Sequence, residues 1–231
     1  MAEALAFETH ALAQQLEQAV PELALAFVPV ASRLADLVGV EMSILSDRAV
    51  KKRRREFQAG RTAARQVLAK LGCAETAVGK LKNGAPDWPA GISGSISHTD
   101  DLAVAAAMTA AIGFGIDLEP NERLPNDVVP LIATKEELHT FRTALPAGIL
   151  PCRAIFCAKE ATYKAISATL GKVIDFSDVE LISGSDSATF RSVARHDLIE
   201  TVKKGRLLAG VQIFQSEKTI VSIAFSALES V

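Results

Sequence analysis

Two segments with helical periodicity, each closed by a glycine and followed by short strand-like stretches, constrain the fold of this chain most. The first begins at the N-cap pair Ser46-Asp47, runs to about residue 71 and is followed by Gly72. The second runs from about residue 152 to residue 170 and is followed by Gly171. Because the order of helix and strands occurs twice, the sequence predicts an α+β fold with two similar lobes.

The remaining segments are distributed over these lobes, which we place at residues 1–120 and 121–231. The stretch Ala2–Val20 has helical spacing, Leu37–Ile44 is expected to be extended, and Thr134 is expected to begin a short helix. The strand-like stretches are residues 27–30, 95–98, 102–108, 112–118, 179–182, 187–193, 206–215 and 219–228.

Composition and charge limit the classes of function. The 231 residues are 49% hydrophobic, which is enough for a packed core, and 25 basic side chains nearly balance 27 acidic ones. A protein that coats nucleic acid usually carries a clear excess of basic residues, so we expect no nucleic-acid partner. Any site for an anion must then be local.

Cysteine usage and hydropathy favour the cytoplasm. The three cysteines form no CxxC pair and no zinc-ligand spacing with the four histidines, which is typical of reduced thiols. The N-terminal residues lack the basic start and apolar block of a secretory signal, and no apolar run is long enough to span a bilayer. We therefore expect a cytoplasmic protein without a membrane partner.

The stretch Ile112–Pro120 combines an apolar strand face with a pair of carboxylates. Alternation along a strand places its large apolar residues on one face, and Gly113, Gly115, Asp117 and Glu119 on the other. Two neighbouring carboxylates raise each other's pKa unless a cation lies between them, and hard oxygen ligands suit Mg²⁺. The alternative is a strand end with two solvated acids.

The second helix carries a charged cluster in otherwise small or apolar surroundings. Glu160 and Lys164 lie one turn apart on the same face, with Lys159 beside them. An ordinary surface ion pair explains this spacing as well. The apolar setting of the cluster weakens that explanation, and both interpretations stay open.

Basic residues concentrate at the start of the first helix. The run Lys51–Arg55 lies where the helix macrodipole disfavours positive charge, and an anionic partner would remove that conflict. Arg61 and Arg65, one turn apart, could grip a single phosphate group. A solvated helix end is the alternative.

Ser97 and His98 are adjacent, so their side chains diverge on a strand. No GxSxG motif is present, which argues against a serine hydrolase.

Taken together and in this order, these segments resemble the phosphopantetheinyl transferases of the Sfp and enterobactin-synthase type. The most specific part of the resemblance is the Asp-x-Glu strand followed by Lys-Glu-Ala-x-x-x-Lys. One departure is Phe156, where many relatives carry tryptophan. The matching segments are Gly60–Arg65, Asn83–Pro89, Ser95–Thr99, Gly115–Glu119 and Phe156–Lys164.

The resemblance implies a pseudo-twofold fold of two lobes, each with a helix packed on a small antiparallel sheet, and coenzyme A bound as substrate in the cleft between them. Asp117, Glu119 and Glu160 are then expected to bind Mg²⁺, with Glu160 and Lys164 as the catalytic residues. The coenzyme-A-binding residues implied by matching position are Arg53, Arg61, Arg65, Lys82, Ser97, His98, Lys159 and Lys164.

The reaction that the resemblance implies is transfer of 4′-phosphopantetheine from coenzyme A to a serine of an apo acyl or peptidyl carrier protein, with release of 3′,5′-ADP. Siderophore or other secondary-metabolite synthases are the expected setting, and two fused lobes suggest a monomer. The alternative is a catalytically silent module that binds coenzyme A or a carrier protein, which would not need the carboxylate cluster.

Overall fold

A computed structural model of the chain describes residues 2–46, 48–74, 77–110, 112–171, 174, 178–183, 189–194 and 205–230. The chain divides into two compact units, Met1–Ala111 and Ile112–Val231, and each is described by itself. Among the helices of these described ranges, none combines the length and apolar character needed to cross a membrane.

The first unit is a helix packed on a three-stranded antiparallel sheet with strand order β1-β5-β4. Every residue of the central strand β5 is buried. The face of the long helix α2 that meets the sheet is built mainly of small residues, including Ala59, Ala63 and Ala64, so helix and sheet approach closely. The elements are α1 (Ala2–Ala19), β1 (Ala24–Pro29), a 3₁₀ turn (Gly39–Ser43), α2 (Lys51–Lys70), β2 (Gly79–Lys80), β3 (Pro86–Asp87), β4 (Ser93–His98) and β5 (Leu102–Met108).

The second unit packs the long helix α5 on a five-stranded antiparallel sheet with strand order β6-β10-β9-β8-β7. Strand β6 is at one edge and pairs with β10, in a register that sets Asp117 opposite Ser222. The elements are β6 (Gly113–Pro120), α3 (Val129–Ile132), α4 (Lys135–Ala144), α5 (Pro151–Leu170), β7 (Val179–Ser183), β8 (Thr189–Ala194), β9 (Gly205–Gln215) and β10 (Thr219–Ser230).

Helix α5 lies directly on the glycine face of β6. A Cβ atom at Gly115 would overlap the carbonyl oxygen of Ala161 and stand 2.8 Å from the backbone nitrogen of Ala165. A Cβ atom at Gly113 would overlap the carbonyl oxygen of Ala165. Because side chains alternate along a strand, Asp117 and Glu119 share this face and are directed toward α5.

The fold confirms the expected mixture of helices and antiparallel sheet. The pseudo-twofold relation between two similar lobes stays a prediction. The sheets on which α2 and α5 pack differ in size, with three and five strands, and β2 and β3 form a separate two-stranded sheet in the first unit. Strand β6, which the sequence analysis assigned to the N-terminal lobe, lies in the second compact unit.

Two local expectations were wrong. Helix α2 begins at Lys51 after an N-cap, Val50, that makes no side-chain cap hydrogen bond; Asp47 lies outside the described residues. The stretch 37–44 is not a strand, because Gly39 takes a positive φ of 52° and a 3₁₀ turn follows. The first two residues of the expected strand 187–193 also lie outside the described residues.

We predict that Gly115→Ala destabilises the protein by about 3 kcal/mol, because the new methyl group overlaps the backbone of α5 and forces helix and strand apart. Urea denaturation followed by circular dichroism measures the loss. Gly210→Ala in β9 is the matched control, since a Cβ there meets nothing within 4 Å. Equal stability of the two variants would show that the close approach of α5 to β6 is wrong.

Candidate active-site residues

The carboxylate face of β6 meets two cations of α5. The Nζ atom of Lys164 donates to Oδ1 of Asp117 at 2.7 Å and to the carbonyl oxygen of Ile116 at 3.0 Å. Asp117 is buried. Lys164 therefore fixes the first carboxylate of the Asp-x-Glu pair against the helix.

Arg153 holds the second carboxylate. Its Nη1 atom donates to Oε2 of Glu119 at 2.7 Å, and its Nε atom donates to the carbonyl oxygen of Glu122 at 3.0 Å. The side chains of Arg153 and Glu119 are 14% and 18% exposed, so the pair is largely shielded from solvent. The bond to Glu122 anchors the guanidinium, so Glu119 receives its single Arg153 hydrogen bond from a fixed cation.

Helical spacing places Glu160 on the same face of α5 as these two cations. Arg153 precedes it by two turns, and Lys164 follows it by one turn. Burial raises the pKa of Glu160, and the charge of Asp117 raises it further. For Glu119, burial and then Asp117 raise the pKa to about 7, although Arg153 opposes the shift. For Glu119 and Glu160, burial together with the nearby charge of Asp117 therefore favours protonation or a bound cation.

The carboxylate oxygens of these three acids suit a hard divalent cation that also binds water or substrate oxygens. Within the described ranges, no three His, Cys, Asp or Glu side chains lie close enough together to hold a metal ion as they stand. Mg²⁺ is commonly bound through one or two carboxylates, with waters and substrate phosphates as its remaining ligands. The acids Asp117, Glu119 and Glu160 supply the oxygen chemistry for such a site.

Lys159, beside Glu160, points into a different environment. Its Nζ atom donates to the Glu137 carboxylate at 3.0 Å and to the carbonyl oxygen of Ile132 at 2.9 Å. Glu137 is 1% exposed. It also accepts hydrogen bonds from the backbone N–H groups of Thr134 and Leu181. This buried ion pair joins α4, α5 and β7 within the second unit.

In the first unit, Arg65 is engaged by an internal carboxylate. Its Nη1 atom donates to Oε2 of Glu41, which is fully buried. Glu41 also accepts hydrogen bonds from the backbone nitrogens of Val38 and Val78 at 3.2 Å each. The pair therefore anchors the 3₁₀ turn and the segment before β2 to helix α2.

Arg61 is also directed inward. Its Nη2 atom donates to the carbonyl oxygen of Gly79 at 3.0 Å, and its guanidinium lies 4.7 Å from the centre of the Phe57 ring. Burial lowers the pKa of Arg61. Both contacts are structural in this conformation.

Arg53 and His98 form a polar pair that is more exposed than Arg65 and Glu41. The Nη1 atom of Arg53 lies 2.8 Å from Nε2 of His98, and the Arg53 side chain is 52% exposed. Glu56 lies behind them, with Oε2 at 3.7 Å from Arg53 and 4.0 Å from Nδ1 of His98. Ser97 is buried in β4, and Lys82 is exposed in the turn between β2 and β3.

Two family models match the chain. The 4′-phosphopantetheinyl transferase N-terminal domain matches residues 41–108, and the 4′-phosphopantetheinyl transferase superfamily matches residues 113–230. The chain belongs to the 4′-phosphopantetheinyl transferase superfamily. The resemblance noted from the motifs is confirmed.

Curated relatives carry related names. The 4′-phosphopantetheinyl transferase Npt of Nocardia iowensis is 44% identical over 121 residues, which are 51% of this chain and 54% of Npt. The 4′-phosphopantetheinyl transferase PptT of Mycobacterium tuberculosis is 37% identical over 159 residues, 67% of this chain and 70% of PptT. Enterobactin synthase component D of Salmonella typhimurium is 33% identical over 117 residues, 51% of this chain and 50% of that protein. The chain thus spans about half the length of Npt and of component D.

Within this member of the 4′-phosphopantetheinyl transferase superfamily, the structure brings some predicted residues together and gives others different partners. Asp117 meets Lys164 and Arg53 meets His98, whereas Lys159 pairs with Glu137 and Arg65 with Glu41. The expected phosphate contacts of Lys159 and Arg65 stay predictions.

The sequence analysis did not identify the residues that form ion pairs with the predicted site residues, namely Arg153, Glu137 and Glu41. The spacing of Arg153 could have identified it, since it precedes Glu160 by seven residues and therefore lies on the same face of the helix. Glu137 could have been identified too, because Thr134 and Glu137 form a capping box at the start of α4. No local pattern distinguishes the buried Glu41 from its solvated neighbours.

We predict that Lys159→Met costs about 3–5 kcal/mol of stability, because it leaves the Glu137 carboxylate buried without its counter-ion. Chemical denaturation measures the loss, and the exposed Lys135→Met is the control. The double variant Glu137→Gln/Lys159→Met is expected to be more stable than Lys159→Met alone. A Lys159→Met protein as stable as the wild type would contradict the buried ion pair.

We further predict that the metal-free protein loses up to about 3 kcal/mol of stability as the pH rises from about 4.5 to about 7. Glu119 has the higher pKa in the folded state, so folding favours its protonated form, and the penalty for ionising it develops across this window. Urea denaturation at a series of pH values measures the slope, which Glu119→Gln should reduce. An unchanged slope in this variant would rule out the raised pKa of Glu119.

Proposed function

We propose that this protein transfers the 4′-phosphopantetheine group of coenzyme A to a serine of an apo carrier protein and releases 3′,5′-ADP. Membership of the 4′-phosphopantetheinyl transferase superfamily supports the reaction class. One structural observation carries the proposal: Asp117 and Glu119 of β6 face the cations of α5, on the helix face that also bears Glu160.

Asp117, Glu119 and Glu160 would hold Mg²⁺ together with the diphosphate of coenzyme A. When bound, the ion would neutralise the negative charge that develops on the diphosphate oxygens. The raised pKa values of Glu119 and Glu160 support this assignment, because carboxylates that are buried and lie near another acid are stabilised in their ionised form by a nearby cation.

Glu160 is the proposed general base. Its carboxylate takes the proton from the carrier serine hydroxyl, directly or through a water, as the serine oxygen bonds to the β-phosphorus of coenzyme A. The bond from that phosphorus to the bridging oxygen breaks, and its electron pair leaves with 3′,5′-ADP. Its place on the helix face that Asp117 and Glu119 meet would set it beside the reacting phosphorus.

Lys164 would stabilise the charge that develops during this transfer. It already lies against Asp117 at 2.7 Å and is fixed by the carbonyl oxygen of Ile116, so its ammonium group is held in place before substrate binds. Pre-organised charge of this kind costs no reorganisation during the reaction.

The first unit would bind the phosphoadenosine end of coenzyme A. Arg53 and His98 are the best-supported candidates, since they lie together at the surface, and the exposed Lys82 could add a third positive charge. Arg61 and Arg65 would need to exchange part of their internal bonding to contact a phosphate.

The proposed partners are apo carrier proteins of siderophore or other secondary-metabolite synthases, a setting that the name of component D supports. We extend the proposal to a monomeric cytoplasmic protein that binds neither nucleic acid nor membranes. The net charge of −2 supports the absence of a nucleic-acid partner.

Intact-mass spectrometry of an apo carrier protein, incubated with this protein, coenzyme A and Mg²⁺, tests the proposal. We predict a mass gain of one phosphopantetheine that EDTA abolishes. Asp117→Asn should slow the transfer by at least about a hundredfold, because it removes one negative charge and one ligand oxygen from the metal site. Asp127→Asn, which changes an exposed acid of the same unit, should leave the rate unchanged.

Transfer that persists in EDTA would overturn the metal assignment alone. Absence of transfer across a panel of acyl and peptidyl carriers, with coenzyme A binding intact, would overturn the enzymatic proposal in favour of a silent binding module.

A further inference from the structure

Arg153 occupies a position that a helix disfavours for a cation. It is the third residue of α5, where the macrodipole is positive, and the chain places it there against Glu119 and the carbonyl oxygen of Glu122. The two contacts offset the unfavourable position. The Arg153 guanidinium is largely buried and has two acceptors in fixed positions. It therefore differs from a solvated surface ion pair, which contributes little to stability.

When all three acids are ionised, the charges on this face do not balance without a further cation. Three carboxylates, Asp117, Glu119 and Glu160, face two fixed cations, Arg153 and Lys164. Arg153 holds Oε2 of Glu119, the same carboxylate that the proposed function gives to a divalent ion. A guanidinium and a divalent ion that share one carboxylate repel each other, so each weakens the binding of the other.

We propose that Arg153 is a positioning residue that acts as a fixed counter-ion for Glu119 and weakens the binding of a divalent cation in the absence of coenzyme A. This inference rests on the proposed function, because it assumes that Glu119 is a metal ligand. Arg153 sets the orientation of Glu119 and gives it a counter-ion, as Lys164 does for Asp117. Its role is separate from that of Lys164, which holds the other strand carboxylate.

The test measures the affinity of the purified full-length protein for Mn²⁺ alone, by the loss of the free Mn²⁺ signal in electron paramagnetic resonance. All proteins are measured at the same pH and ionic strength. We expect Arg153→Met to bind Mn²⁺ about tenfold more tightly than the wild type, because a repelling unit charge next to the ion is removed. Arg153→Lys retains the charge and should restore an affinity close to that of the wild type.

Two further variants make the result specific. Arg153→Gln keeps a hydrogen-bond donor and loses the charge, so it should bind Mn²⁺ as tightly as Arg153→Met and serves if that protein does not fold. Arg142→Met removes an exposed cation from the last turn of α4 and should leave the affinity unchanged. Damage to the fold alone would weaken Mn²⁺ binding, so a gain in affinity distinguishes a counter-ion from a structural residue.

The outcomes separate this inference from the proposed function. Mn²⁺ binding that is equal or weaker in both uncharged variants overturns the role of Arg153 and leaves the metal site in place. Absence of Mn²⁺ binding in the wild type and in every variant overturns the metal assignment and this inference together.

Discussion

The contact between the glycine face of β6 and the backbone of α5 is the constraint on which the candidate site depends. With a side chain at Gly113 or Gly115, the helix could not lie at its present distance from the strand. Because the same strand face continues into Asp117 and Glu119, the approach that needs glycine also carries two carboxylates to the helix. At this contact, burial is the main cause of the raised pKa values of Glu119 and Glu160.

Two adjacent charged residues of helix α5, Lys159 and Glu160, lie in different environments. Lys159 faces the interior, where Glu137 neutralises it and two backbone donors complete the carboxylate. Glu160, the next residue, lies on the face that also bears Lys164. A helix advances about 100° per residue, so adjacent positions point in different directions, and the buried pair can fix the rotation of α5 about its axis. The rotation of the helix then sets which residues meet β6.

Much of the fold could be predicted because helical periodicity and strand alternation are local signals. Helix α5 and strand β5 lie where the pattern placed them, and Asp117 of the Asp-x-Glu pair contacts Lys164 of the Lys-Glu-Ala-x-x-x-Lys segment. The partners of Lys159 and Arg65 could not be predicted, because Glu137 and Glu41 are 22 and 24 residues away along the chain. Such pairings follow from the packing of whole elements. A sequence motif shows that a charged residue is present but does not identify the residue with which it forms an ion pair.

The same reasoning limits how many cations of the first unit can bind an anion. Sequence spacing counted Arg61 and Arg65 as a phosphate grip, yet each already has a buried or backbone acceptor. Breaking the Arg65 pair would leave the fully buried Glu41 without its charge partner, which costs several kcal/mol. Redirecting Arg53 costs less, since its side chain is half exposed and its ion pair with Glu56 is long, at 3.7 Å. Anion binding in this unit should therefore begin at the Arg53–His98 pair, and Arg61 and Arg65 chiefly hold in place the segment that leads into β2.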